Sequence, residues 1–427
     1  MRHSRSSVLL LLTLLSGLPA SAQERPDRAN PHGRQERPAQ AKPADDAPQG
    51  PGVLRLLPPD ASNDKEITVG GRKIAYTATA GTLALFDQSG EKSASVFYTS
   101  YVAKNSDATR RPLTFAFNGG PGAASVYLNL GVVGPRIADF GPDARDGAAA
   151  KLVDNPDSWL AFTDLVMIDP IGTGWSRTAK PDDAKNFWGV RSDASAIAKV
   201  IALYVAKNSR AGSPKYLLGE SYGGFRAAKV ARALQSDQGI VVSGVAMASP
   251  LLEASFLWGQ QNALGAALRF PAIVASHLER TKAFTPQAMA EAERFAMNEY
   301  LTTLAGRAPT GDAAKAFYSR VSAMTGVPVD AVTRARGDVR NFAQVALRAA
   351  GQTASSYDGA FTAPDPYPES ARGSGDDPIL DGFTRALSGL FVGYARDGRS
   401  ALLTNAIPLP MAVVDNSTQE HLAPALE

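Results

Sequence analysis

Hydrophobic and polar positions change their period several times along the chain. From residue 53 to about residue 110, apolar residues alternate with polar ones around 74–85 and 95–102, which is the period of half-buried strands. Four compact apolar runs of strand length follow, and such runs are typical of strands covered on both faces. These four runs are 113–117, 165–168, 216–218 and 242–247.

Helical patterns separate some of these runs. One helical stripe, with spacing i, i+3, i+4, i+7, comprises Ile197, Val200, Ile201 and Tyr204. A second stripe, after residue 221, comprises Ala227, Val230, Ala231 and Leu234. Strands that alternate with helices predict an α/β fold, in which a mainly parallel central sheet is flanked by helices.

The pattern changes again beyond residue 250, so that we assign 53–250 to the α/β core. Strand signals vanish over 251–351 and helical ones dominate, which predicts a helical cap inserted over the sheet. A helix is expected to begin at Thr285 and Pro286, and another to end at Gly326. Over 352–427 we expect a long loop, a last helix at 380–394 and a C-terminal tail with one short strand at 411–414.

The first residues have the features of a processing signal. A basic start, an apolar stretch and Ala20-Ser21-Ala22 predict a signal peptide over 1–22, and therefore an exported protein, periplasmic or secreted. The alternative is a retained membrane anchor, although the apolar run is short for a span. Residues 23–52 are rich in Pro, Arg and Gln and predict a disordered tether that includes His32. After signal cleavage we expect no association with a membrane.

Composition excludes several classes of function. The chain is 44% hydrophobic and 20% charged, as in globular proteins, and its formal net charge of +3 gives no reason to expect a nucleic-acid partner. It contains no cysteine, so that it has neither disulfides nor thiolate metal sites. No metal or cofactor motif is present, and the oligomeric state is not indicated.

Three glycine-containing segments follow predicted strands. Gly219-Glu220-Ser221-Tyr222-Gly223 is a G-x-S-x-G motif between a strand and a helix, the context that exposes a nucleophilic serine at the top of a sheet. The segment 118–122, Asn-Gly-Gly-Pro-Gly, is either a source of oxyanion donors or an ordinary tight turn. The segment 169–176 includes Trp175, which either walls a pocket or simply packs.

Together these segments resemble the serine carboxypeptidase family of the α/β-hydrolase superfamily, from about residue 74 to residue 250. The eight-residue segment that begins at Asp169 is most similar to the bacterial branch. The resemblance implies that Ser221 is the nucleophile, that the N–H groups of Gly120 and Tyr222 form the oxyanion hole, and that Asn118 and Glu220 bind the substrate's terminal carboxylate. The implied reaction is release of residues from the free C-terminus of a peptide.

The family's catalytic Asp and His, and two further sheet strands, lie beyond its cap. We find none of these here, and the chain has only four histidines. We therefore expect one of three situations: a truncated chain, which we favour, a non-catalytic relative that binds peptide ends, or His421 as an unusual general base. His277 is expected to lie in a cap helix. An exported esterase of the same fold is a further alternative, since the serine motif alone does not separate the two activities.

Overall fold

The computed structural model describes residues 59–139, 151–253, 262–340, 347–355 and 358–365, together with Gly52, Leu54 and Leu57. The predicted signal peptide, most of the tether, the strand at 411–414, the helix at 380–394 and His421 lie outside the described residues. No helix among the described residues is long and apolar enough to cross a membrane.

Twelve strands lie in the described part of the chain: β1 (Ala61–Val69), β2 (Arg72–Phe86), β3 (Lys92–Ala103), β4 (Leu113–Phe117), β5 (Arg136–Asp139), β6 (Lys151–Asp154), β7 (Asp164–Ile168), β8 (Arg177–Thr178), β9 (Lys215–Glu220), β10 (Gly244–Ala248), β11 (Gln352–Ala354) and β12 (Thr362–Pro364). Eight of them form one sheet in the order β1-β2-β3-β7-β4-β9-β10, with β8 paired to β3. The pairs β1–β2, β2–β3 and β3–β7 are antiparallel, whereas β7–β4, β4–β9 and β9–β10 are parallel.

Eight α-helices lie in the same part of the chain: α1 (Val126–Leu128), α2 (Val190–Lys207), α3 (Tyr222–Gln238), α4 (Ala263–Arg280), α5 (Pro286–Phe295), α6 (Leu301–Ala305), α7 (Gly311–Thr325) and α8 (Val329–Arg334). One face of the sheet packs against α2 and α3, and both predicted apolar stripes point into this core. A second apolar cluster covers the opposite face and includes Leu128, Val133 and Leu160. The sheet is mixed, with the parallel strands β7, β4, β9 and β10 next to an antiparallel part, and helices flank it, which confirms the predicted α/β-hydrolase class.

The strand β4 explains the position of the site. All five of its side chains, Leu-Thr-Phe-Ala-Phe, are buried, and it lies between β7 and β9 in the middle of the sheet. Since the three strands are parallel, the segments that follow their C-terminal ends meet at one edge of the sheet. Those segments are 118–122 after β4, 169–176 after β7 and the turn at Ser221 after β9.

Helices α4 to α8 form a separate apolar cluster around Phe270, Phe295 and Tyr300. As predicted, Thr285 caps α5 by accepting a hydrogen bond from the N–H of Ala288, and Gly326 ends α7 in a left-handed conformation. Helices α4 to α8 lie within residues 251–351, the range predicted as a cap. Pro286 lies in the first turn of α5, where a backbone N–H would have no acceptor inside the helix, so that proline costs no hydrogen bond there.

Two local expectations were wrong, and one pair of strands was not expected. The run at 242–247 was expected to form a strand covered on both faces, but β10 is largely exposed, with Val245 and Met247 about two-fifths accessible. It is the outermost strand among those described, and only β9 pairs with it there. The predicted loop after residue 351 contains the short hairpin β11–β12. The hairpin β5–β6, which lacks a long apolar run, was not predicted at all.

Candidate active site

Ser221 occupies the sharp turn between β9 and α3. Its backbone angles, φ 57° and ψ −124°, lie in a region that residues with a side chain seldom adopt. Hydrogen bonds hold the turn in place, because the Ser221 N–H donates to the carbonyl of Ala248 at 2.9 Å. The Ser221 carbonyl accepts from the N–H groups of Gly224 and Leu251, at 2.9 and 3.0 Å. The strained geometry is therefore fixed from both sides, and the serine is the residue immediately before a 17-residue helix.

The segment 118–122, hereafter the glycine loop, lies against this turn. A Cβ atom on Gly119 would stand 2.6 Å from both the Glu220 carbonyl oxygen and the Tyr222 nitrogen, which leaves no space for a side chain. A Cβ atom on Gly223 would collide with the backbone of Phe117 and Asn118. Two glycines thus let the loop and the start of α3 approach at backbone distance.

The amide of Tyr222 is the first of α3. The first four N–H groups of a helix have no partner inside it, and the helix dipole makes this end attractive to negative charge. Gly119 lies against the Tyr222 nitrogen, so that Gly120, the next residue in the chain, also lies near the start of α3. Gly120 itself has a φ of 104°, a conformation that only glycine adopts without strain. Such an arrangement of backbone amides can stabilise a developing oxyanion.

Asn118 and Glu220 are joined by a hydrogen bond at the edge of the turn. The Asn118 Nδ2 atom donates to Glu220 Oε2 at 3.3 Å, and Asn118 Oδ1 accepts from the N–H of Leu128 at 2.9 Å. The Leu128 amide is a donor, which fixes the orientation of the Asn118 side chain. Burial raises the pKa of Glu220, while Asn118 and the Gly119 N–H oppose that rise. The net effect favours the protonated form of Glu220 relative to a glutamate exposed to solvent.

The segment that follows β7 is organised around a buried carboxyl group. Asp169 accepts a hydrogen bond from the Ser125 N–H at 2.9 Å, and its carbonyl accepts from the Ser176 hydroxyl at 2.6 Å. Burial raises the pKa of Asp169 to about 6, against the opposing effect of the backbone N–H groups of Ser125 and Trp175. Asp169 thus ties its own segment to the residues just after the glycine loop.

Trp175 packs against the apolar cluster on the side of the sheet opposite α2 and α3. Its indole nitrogen is buried and has no hydrogen-bond partner among the described residues. Of the two interpretations of Trp175, packing is the one that these contacts favour.

His277, the histidine among the described residues, lies on α4. The ring of His277, on α4, is so close to Gly326 that a Cβ atom there would collide with it. Burial lowers the pKa of His277, and Arg280 lowers it further. The Ser221 hydroxyl has no hydrogen bond to another of the described residues. The role expected of His421 therefore stays a prediction.

Within the described ranges, no group of three or more His, Asp and Glu side chains could hold a metal ion.

Sequence reasoning missed a buried ion pair beside the site. Arg226 on α3 and Asp193 on α2 are both buried, and the Arg226 Nε atom donates to Asp193 Oδ2 at 2.7 Å. A signal for the pair does exist in the sequence. Arg226 lies four residues before Val230, and Asp193 lies four residues before Ile197. Each charged residue is therefore on the same face of its helix as the apolar stripe that faces the core.

The sheet and the turn at Ser221 have the arrangement of the α/β-hydrolase fold, and comparisons with known proteins show which family part of the chain is similar to. Residues 77–257 match the serine carboxypeptidase family, so that the resemblance in the sequence is confirmed for this region. Serine carboxypeptidase-like 41 of Arabidopsis thaliana is 30% identical over 192 residues, which are 43% of this chain and 38% of that protein. Serine carboxypeptidase-like 42 of the same plant is 30% identical over 167 residues, 37% of this chain and 33% of that protein. The matched region thus spans less than half of each relative.

Among solved structures, similarity extends over more of the chain at lower identity. Kex1(delta)p, a prohormone-processing carboxypeptidase from Saccharomyces cerevisiae, is 15% identical, with 82% of this chain and 69% of that one covered and a TM-score of 0.49. The esterase LipA from Xanthomonas oryzae is 19% identical, with coverage of 62% and 72% and a TM-score of 0.31. The expected likeness to a bacterial branch finds no support in the curated relatives, which are plant proteins.

Proposed function

We propose that this protein is a serine-type carboxypeptidase that releases residues from the C-terminus of peptides through an acyl-enzyme on Ser221. The observation that carries the proposal is the Asn118–Glu220 hydrogen bond, which adjoins the serine turn. The family match over residues 77–257 supports the same reaction class.

In the proposed reaction, the Ser221 oxygen attacks the carbonyl carbon of the last peptide bond and gives its proton to a general base. His421 is the candidate base that the sequence offers. The N–H groups of Gly120 and Tyr222 stabilise the negative oxygen of the tetrahedral intermediate. The C–N bond then breaks, the protonated base gives its proton to the departing amine, and the acyl group stays on Ser221. Water releases this acyl group by the same steps.

Recognition of the chain end is assigned to Asn118 and Glu220. A carboxyl side chain can hydrogen-bond to a substrate carboxylate only while it holds a proton, because two like charges at that distance repel. The raised pKa of Glu220 supports this role, since it extends the pH range in which the side chain is protonated. The Asn118 amide supplies a neutral donor that does not depend on pH.

The test is hydrolysis of a blocked dipeptide with a free carboxylate, beside its C-terminal amide and its ethyl ester. We expect the free carboxylate to be cleaved at least tenfold faster than the amide, with Ser221→Ala as the inactive control. Cleavage of the ester without preference for a carboxylate would indicate an esterase and contradict the proposal. Export of the chain, and the absence of a nucleic-acid partner, stay predictions.

Non-catalytic binding of peptide ends is the second candidate. It is favoured by one observation: the Asn118–Glu220 pair is complete within the described residues and needs no general base. Binding of the free carboxylate without cleavage, in a well-folded chain, would support this second function over the first.

A further inference from the structure

Arg226 is a buried charged side chain for which the proposed reaction has no use. It is only 2% exposed and lies on α3, five residues after Ser221. Its Nη1 atom donates to the main-chain carbonyl of Asn118 at 2.7 Å, and its Nε atom donates to Asp193 at 2.7 Å. The guanidinium carbon also lies 4.8 Å from the centre of the Tyr222 ring. Arg226, which lies on α3, therefore contacts α2 and the glycine loop at once.

The chemistry of these contacts favours a geometric role over a stabilising one. A buried ion pair often contributes little stability compared with well-packed apolar residues, because both charges lose their water. An arginine can nevertheless serve two acceptors in fixed directions, since its planar guanidinium has several N–H donors. Here one acceptor is the Asp193 carboxylate, which holds the guanidinium in place, and the other is the Asn118 carbonyl.

Asn118 is the residue through which such a role would act. Its carbonyl is held by Arg226, its Oδ1 atom accepts from the Leu128 N–H, and its Nδ2 atom donates to Glu220. Because a peptide unit is planar, a fixed Asn118 carbonyl also fixes the direction of the Gly119 N–H and the entry into the glycine loop. The Asn118 carbonyl is thus one point at which a side chain of α3 is attached to the loop.

We propose that Arg226, oriented by Asp193, is a positioning residue that keeps the glycine loop and the Asn118–Glu220 pair in register with the Ser221 turn. The proposal deepens the proposed function and rests on it for one consequence, selectivity for a free terminal carboxylate. Its structural part, the anchoring of the loop to α3, stands independently of any activity.

The experiment uses the double variant Asp193→Leu/Arg226→Met, which removes both charges and leaves no unpaired buried ion. Arg226→Lys keeps a cation for Asp193 but cannot reproduce two directed hydrogen bonds from one planar group. Val230→Ala is the matched control, since Val230 is fully buried one turn further along the same helix and belongs to the apolar core. All variants are first compared by circular dichroism and thermal unfolding.

The first readout is amide hydrogen exchange at Gly119, Gly120, Gly122 and Ala123, measured relative to amides inside α3. We expect exchange in the loop to be at least tenfold faster in the double variant and in Arg226→Lys, with the ratio unchanged in Val230→Ala. Equal rates of exchange in the loop of the double variant and of the control would overturn the proposal, independently of the activity of the protein.

The second readout is the ratio of affinities for an acetylated tripeptide with a free carboxylate and for its amide, measured in the Ser221→Ala background. We expect this ratio to fall at least tenfold in the double variant and to stay constant in Val230→Ala. A wild-type ratio near one would contradict the proposed function, and the exchange measurement alone would then decide the role of Arg226. An unchanged ratio beside accelerated exchange would overturn the assignment of selectivity to Arg226.

Discussion

Gly119 and Tyr222 lie so close that a Cβ atom on Gly119 would stand 2.6 Å from the Tyr222 nitrogen. The two residues are distant in sequence, one after β4 and the other at the start of α3. Their contact brings the glycine loop and the turn at Ser221 together, and it requires glycine at position 119. Every role proposed for the site relies on this approach.

Gly119→Ala should therefore separate the two segments. The added methyl group meets backbone atoms that cannot rotate away, and overpacking of this kind costs about 1–3 kcal/mol. We expect the free energy of unfolding to fall by about 2 kcal/mol, measured by urea denaturation. Gly212→Ala is the control, because its Cβ atom would meet Thr109 no closer than 3.3 Å. Equal stability of the two variants would contradict the described contact.

Ser221→Gly should stabilise the protein relative to Ser221→Ala. Both variants lack the hydroxyl, but only glycine adopts a φ of 57° with a ψ of −124° without strain. Relief of the strain, about 1–3 kcal/mol, exceeds the additional chain entropy that glycine loses on folding. We expect a net gain of about 1 kcal/mol in the free energy of unfolding. A less stable glycine variant would mean that the turn at Ser221 is not strained.

Asp169 should make stability fall as the pH rises. Its pKa of about 6 in the folded protein exceeds the usual value of 3.8, so that the folded state binds the proton more tightly. The resulting stabilisation is complete below about pH 4 and is lost between about pH 4 and pH 6. A difference of about 2 in pKa corresponds to about 3 kcal/mol.

The measurement is urea denaturation of the wild-type protein and Asp169→Asn from pH 4 to pH 7. We expect the stability of the wild type minus that of the variant to fall by about 3 kcal/mol over this range. A difference that is constant with pH would show that Asp169 does not titrate there.

Glu220→Gln should remove a pH dependence from the binding of peptide carboxylates. In the wild type, binding weakens as the pH rises through the raised pKa of Glu220, because the ionised side chain repels the substrate. Glutamine keeps a donor at every pH. By calorimetry in the Ser221→Ala background, we expect the variant to bind a free-carboxylate peptide more tightly at pH 7, by about tenfold. Parallel pH profiles of the two proteins would contradict the assigned role of Glu220.

Local sequence patterns predicted the elements of the sheet better than their environment. The run at 113–117 coincides with β4, and the predicted turn at Ser221 lies between β9 and α3. Both depend on interactions between residues near in sequence. The exposure of β10 depends on which elements cover it, and an apolar run carries no such information.

The contacts that build the candidate site depend on long-range packing. The hydrogen bond from Asn118 to Glu220 joins residues 102 positions apart, and no sequence period encodes their distance. The resemblance to a family singled out these two residues, whereas Arg226 has no place in the motifs that carry it. The spacing of Arg226 and Asp193 from the apolar stripes indicates that they face the core, but only the folded arrangement shows that the two side chains pair with each other.

The most direct test of the account is covalent labelling of the folded, monodisperse chain by a fluorophosphonate probe. Such probes react with serine oxygens that a nearby base has activated. We predict stoichiometric labelling that mass spectrometry assigns to Ser221 and that Ser221→Ala abolishes, whereas Val230→Ala is labelled like the wild type. Labelling that is absent from the folded wild-type chain, or that persists in Ser221→Ala, would contradict an activated nucleophile at Ser221.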